Sequence, residues 1–139
     1  MIDKFSIYRV LFPFWRRRQL RLRRARLFYG SEQFAHDLFG GDVHPELSSL
    51  LWECFSDSRG LVADFRPHPD DELASIYGMG PEEVLDDVLF PFAEKHDLMN
   101  SDVDMSALRQ DDATIRDVAA ILLALSSLRP PPPTSPMTR

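Results

Sequence analysis

The chain has 139 residues, 44% of them hydrophobic and 27% charged, which is the size and composition of one folded domain. Its single cysteine, Cys54, excludes an intramolecular disulfide framework and any multi-cysteine zinc or iron–sulfur site, and no apolar run approaches the roughly 18–20 residues of a transmembrane helix. The net charge of −6 hides a split, because residues 1–29 carry +8 and residues 30–139 carry −14.

The split divides the chain into a basic aromatic arm (1–30), an acidic helical domain (31–128) and a Pro-rich tail (129–139). The arm opens with Phe5, Tyr8, Phe12, Phe14 and Trp15, followed at once by Arg16, Arg17 and Arg18. Arg9 interrupts the apolar part, the basic residues follow it instead of preceding it, and no small-residue cleavage site closes it, so it makes a poor signal peptide. A mitochondrial presequence would be Arg-rich too, but also rich in serine.

Three readings of the arm stand. Its aromatics sit at an anionic membrane surface while Arg16, Arg17, Arg18 and Arg21 meet headgroups. Or its arginines pair with nucleic acid. Or it is a helix packed on its own body, with Leu20, Leu27 and the aromatics in the core and the arginines facing the acidic helices. The acidic body argues against nucleic acid, because phosphate binding requires a basic face. Between Arg16 and Tyr29 the spacing predicts a helix, with Leu20, Leu27 and Arg23 on one face and Gly30 as its terminating residue.

The body reads as short helices in succession. Ser31 is an N-cap, Phe34, Ala35, Leu38 and Phe39 follow, and Gly40-Gly41 stops the segment. Pro45 starts a helix whose apolar face is Leu47, Leu50, Leu51, Cys54 and Phe55, failing near Ser58-Arg59-Gly60. Residues 60–69 form an extended connection with room for one short strand, since Pro67 and Pro69 forbid a helix. Asp70 or Asp71 caps a short helix carrying Leu73, Ile76 and Tyr77, and Gly78-Met79-Gly80 ends it. Pro81, Glu82 and Glu83 start the next helix, where acids suit the positive end of the dipole. Its face is Val84, Leu85, Val88, Leu89 and Phe92, and Pro91 within it predicts a clash with the Asp87 carbonyl and a kink, or a stop and restart. Residues 99–113 are polar, anchored by Val103, Met105 and Leu108. Thr114 opens a last helix with Asp117 at the capping-box position and Ile115, Val118, Ala119, Leu122, Leu125 and Leu128 as its stripe, before Pro130 to Pro133.

The order from Pro45 to Leu128, with Tyr77-Gly78-Met79 before the acidic helix, Phe92-Ala93-Glu94-Lys95-His96-Asp97 at its end and Thr114-Ile115-Arg116-Asp117-Val118 opening the last one, resembles the acyl carrier protein family. It looks like divergent bacterial relatives of that family that keep the helices and lose the prosthetic-group site. The resemblance covers about 60% of the chain and implies a small helical bundle, here with an N-terminal helical extension. Carriers hold phosphopantetheine on a serine at the start of the acidic helix. That position falls at Glu82 or Pro81 here, and the nearest hydroxyl, Ser75, lies roughly two turns too early.

The signals for catalytic groups are weak. None of His36, His44, His68 and His96 pairs at the i, i+4 spacing of a helical zinc site. His68 beside Asp70 and Asp71 reads as a solvated loop, His96 as a surface residue, and Cys54 as a small core residue. The acidic pairs are adjacent on helices and so do not face each other as acid/base dyads.

The sequence thus predicts a mostly α, cytoplasmic, non-enzymatic protein with no cofactor and no metal. Glu82, Glu83, Asp86 and Asp87 are its candidate contacts to a protein with a basic surface. The alternatives are a divergent carrier bearing a phosphopantetheine group, and a peripheral membrane protein held by residues 5–26.

Overall fold

The computed structural model describes residues 16–40, 44–56, 62–99 and 102–128. The aromatic segment 5–15, Gly41, the stop at 58–60 and the Pro-rich tail lie outside the described residues. The described chain is mostly helical, and its one bridge between extended residues is the isolated pairing of Glu72 with Thr114. No described helix is long and apolar enough to cross a membrane.

Helix α1 spans 16–25 and lies on the body. Gln19 is buried, and Leu20 and Leu22 pack against the core. Two of the expectations for its end are corrected. Leu27 is exposed instead of joining the packed face. Gly30 does not terminate α1: at φ −107° it is the N-cap of α2 (Ser31–Phe39), and Ser31 is the first helical residue instead of the cap. Phe34 and Leu38 are the buried residues of α2, and Gly40 at φ 65° closes it by donating its N–H to the His36 carbonyl.

Helix α3 (Pro45–Ser56) buries Leu47, Ser48, Leu51 and Phe55, with Leu50, Trp52 and Cys54 partly covered. Trp52 and Phe34 pack edge to face with ring centroids 5.4 Å apart, which joins α2 to α3. The connection is extended and contains no strand among its described residues. Val62, Phe65, Pro67 and Pro69 point inward in near alternation, because a period of two is what an extended chain presents. A turn at Asp64, with φ 57°, sets that register.

Helix α4 (Leu73–Tyr77) is capped by neither Asp70 nor Asp71. Glu72 holds the N-cap position with no side-chain cap bond, and the Leu73 N–H is satisfied by the Ala113 carbonyl at 2.9 Å. The Asp71 side chain is turned elsewhere, as described below. Gly78, left-handed at φ 64°, ends α4.

The acidic helix is α5 (Pro81–Val84), a π turn (Leu85–Leu89) and α6 (Phe90–Lys95). It neither stops nor restarts at Pro91. The Phe90 N–H bonds the Leu85 carbonyl, five residues back, so the ladder has left the i→i+4 register before the proline arrives. The wider turn accommodates a residue that has no N–H to give. Val84, Val88, Leu89, Phe92 and Ala93 are buried. Asp97 at φ 59° and the bond from Leu98 N–H to the Ala93 carbonyl turn the chain back into the core.

A 3₁₀ turn (Ser106–Arg109) brings Leu108 inward, and its start is held by Asp104 Oδ1 accepting the Ser106 N–H at 3.0 Å. Helix α7 (Ile115–Ser127) opens at the expected capping box, with the Thr114 N–H donated to Asp117 Oδ2 at 2.8 Å. It buries Ile115, Val118, Ala119, Ile121, Leu122 and Leu125. Leu128 departs from its predicted stripe and is half exposed. Truncating the fully buried Leu122 to alanine is expected to cost about 2–5 kcal/mol in urea unfolding. The same change at Leu128 is expected to stay within about 0.5 kcal/mol.

Candidate functional site

Two features combine charge with position, one inside the molecule and one on its surface. The inner one centres on Asp71, 3% exposed. Arg26 grips its carboxylate with both guanidinium ends, Nη1 to Oδ2 at 2.8 Å and Nη2 to Oδ1. Tyr77 Oη donates to Oδ2 at 2.8 Å, and the His68 backbone N–H donates to the same oxygen at 3.0 Å. Arg26 Nη1 also reaches the Arg66 carbonyl at 2.9 Å, and its guanidinium lies 5.7 Å from the Phe65 ring centroid. The backbone of Asp71 accepts the Ile115 N–H at 3.1 Å. One residue thereby joins the turn at the end of α1, the connection, α4 and α7.

Other members of the basic helix extend this junction. Gln19 donates Nε2 to the Ile76 carbonyl and accepts the Val62 N–H, both at 3.0 Å. Arg23 donates to the Ala63 carbonyl. Among the described residues no buried side-chain nitrogen or oxygen lacks a partner. The tyrosine hydroxyls respond to their surroundings. Burial, reinforced by the Asp71 charge, raises Tyr77 well above its ordinary value. Burial and the hydrogen bond to Asp37 raise Tyr29, and that same bond lowers Asp37.

The outer feature is the acidic helix. Glu82, Asp86 and Asp87 are exposed, as are Phe90, Pro91 and Glu94. Glu82, Asp86 and Phe90 succeed one another at one-turn intervals. Glu83 is different from its neighbours: its Oε2 accepts the Gly80 N–H at 3.0 Å and closes the helix start. Of the four carboxylates predicted to contact a partner, three therefore face outward and Glu83 serves the cap. Arg16, Arg17, Arg18 and Arg21 are all exposed on α1.

The histidines are more engaged than their sequence context indicates. His96 is not a plain surface residue. Its side chain is 12% exposed, Nε2 lies 2.8 Å from Glu46 Oε1, and its ring packs 4.5 Å from Phe92, tying the end of α6 to the start of α3. His68 is not simply solvated: it stacks on Tyr29 at 5.2 Å and accepts the Asp70 N–H at Nδ1. Asp70 in turn receives Arg116 Nε at 3.0 Å. The described residues contain no group of three His, Cys, Asp or Glu able to hold a metal. Burial pushes the Cys54 thiol up to about 11, which leaves it protonated at neutral pH.

The Asp71 junction was legible only in part. Gln19 is the one neutral polar residue among the arginines of α1, and it lies seven residues before Arg26, on the same face. That spacing marks an inward polar side, but nothing local names Asp71 as its target. No family model, curated protein or solved structure matches the chain.

Replacing Asp71 with alanine is expected to cost about 3–5 kcal/mol in denaturant unfolding, because the Arg26 charge is left without its partner. The combined Asp71→Leu and Arg26→Met variant is expected to recover only part of that loss, because the buried charge is gone but the Tyr77 hydroxyl and the His68 N–H lose their acceptor. Neutral Tyr77 favours the fold, so its contribution is complete below its unfolded value of 10.0 and is lost as pH rises above it. Stability of the intact protein is therefore expected to fall above pH 10. Tyr77→Phe should lessen the slope there by about 1.4 kcal/mol per pH unit, read from unfolding at successive pH values.

Proposed function

We propose that this chain is a non-catalytic helical protein that binds a protein partner with a basic surface through the outer face of residues 81–95. In helix order it is similar to an acyl carrier protein. At the position of the carrier serine it has Pro81 and Glu82. On this reading it keeps a carrier-like docking helix without the attachment chemistry.

The observation that carries the reading is the arrangement on that helix. Glu82, Asp86 and Asp87 stand exposed around Phe90, a large apolar side chain left 42% exposed. Carboxylates steer a basic partner during encounter, and an exposed aromatic supplies a contact that excludes water once the surfaces meet. Glu83 supports the surface from beneath by fixing the helix start. Ser75, the nearest alternative for a prosthetic group, is half-buried and lies 3.5 Å from Glu72 Oε2.

Two measurements test the reading. The first is a pull-down at low and high salt with the intact chain and with Glu82→Lys, Asp86→Lys and Asp87→Lys combined. The expected result is a basic partner held by the intact chain, released by salt, and lost from the triple variant with unchanged circular dichroism. Equal retention by both proteins removes the acidic helix as the contact. The second is intact mass after co-expression with a phosphopantetheinyl transferase. The mass is expected to stay the same, and a gain of one prosthetic group would make the protein a working carrier instead.

A further inference from the structure

Helix α1 presents two unlike sides. With 100° between successive residues, Leu22, Arg23 and Arg26 lie within about 60° of Gln19, while Arg17, Arg21 and Arg24 lie within about 40° of the opposite direction. The contacts agree with that geometry. Gln19, Arg23 and Arg26 bond to the body, and Arg17, Arg21 and Arg24 are exposed, flanked by exposed Arg16 and Arg18. The helix carries no acid.

At the end of this row stand two apolar side chains that the fold leaves uncovered among its described residues. Leu27 is 60% exposed and Phe28 is 96% exposed. Beside them is an open depression lined by Leu20, Arg23, Arg24, Leu27, Asp64 and Arg66. Three of those six are arginines, and Asp64 is the one carboxylate.

We propose that this face docks on an anionic lipid bilayer, with Arg17, Arg21 and Arg24 against the headgroups and Leu27 and Phe28 inserted at the acyl boundary. A row of arginines alone suits any polyanion. The adjacent pair of exposed large apolar residues decides in favour of the bilayer, which carries negative charge directly above hydrocarbon. The acidic helix takes no part, so this site stands or falls apart from the protein-binding reading. Salt at physiological strength screens charge beyond about 8 Å, which limits repulsion between the membrane and the more distant carboxylates.

The test is flotation of the full-length protein with phosphatidylcholine–phosphatidylserine vesicles and with pure phosphatidylcholine vesicles. The protein is expected to float with the anionic vesicles only, and less as salt rises. Combining Arg17→Gln, Arg21→Gln and Arg24→Gln should weaken partitioning about 100-fold, at about fivefold per arginine. Combining Leu27→Ser and Phe28→Ser should weaken it about 100-fold as well, at about tenfold per side chain. All these positions are exposed, so circular dichroism is expected to stay unchanged and to separate lost binding from lost folding. Flotation that neither set of substitutions reduces places the membrane contact outside this face and overturns the proposal. Binding to a duplex oligonucleotide that depends on the arginines but not on Leu27 and Phe28 overturns it in favour of nucleic acid. Concentration-dependent self-association abolished by the arginine substitutions overturns it in favour of a second copy of the chain.

Discussion

The ion pair between Arg26 and Asp71 is the constraint on which the arrangement rests. Each group would be costly to bury alone, by several kcal/mol even after relaxation. Four donor contacts converge on the Asp71 carboxylate, from the two ends of the Arg26 guanidinium, the Tyr77 hydroxyl and the His68 backbone. A buried polar group satisfied so fully tolerates few alternatives, because any displacement leaves a donor or the carboxylate unpaired. The pair also links the two oppositely charged parts of the chain, since Arg26 comes from the basic end and Asp71 from the acidic body.

One consequence reaches the surface. Once Arg26 and Gln19 face inward, helical periodicity leaves Arg17, Arg21 and Arg24 no other direction than outward. The basic surface is thus a geometric result of the internal pair, and the turn after α1 carries Leu27 and Phe28 out with it. Arg23 and Arg26 bond to the body, while Arg17, Arg21 and Arg24 remain exposed and available for contact.

The acidic helix follows a parallel logic. Its inward residues, Val84, Val88, Leu89, Phe92 and Ala93, fix its rotation, and its carboxylates face outward as a result. The π turn resolves the conflict between a continuous apolar stripe and a proline inside it. The molecule therefore offers two charged surfaces of opposite sign, each containing an exposed phenylalanine, Phe28 on one and Phe90 on the other. Charge selects the class of partner that approaches each surface, and the aromatic rewards close contact.

Much of this was already determined by the sequence alone. Apolar spacing located α2, α3, the acidic helix and α7, because a 3.6-residue period is a local property of each segment. Pro45, Pro81 and Thr114 marked helix starts, and Gly40 and Gly78 marked ends, because their backbone preferences act within one turn. The carboxylates of the acidic helix were legible for the same reason. Only the tertiary structure decided the rest. It packed one side of α1 on the body, gave Gly30 to α2, turned Asp71 from a helix cap to the partner of Arg26, and brought His96 to Glu46. Each of these joins residues about fifty positions apart or reassigns a boundary between adjacent elements. Such choices depend on which surfaces meet when the core closes, and local pattern carries no record of that.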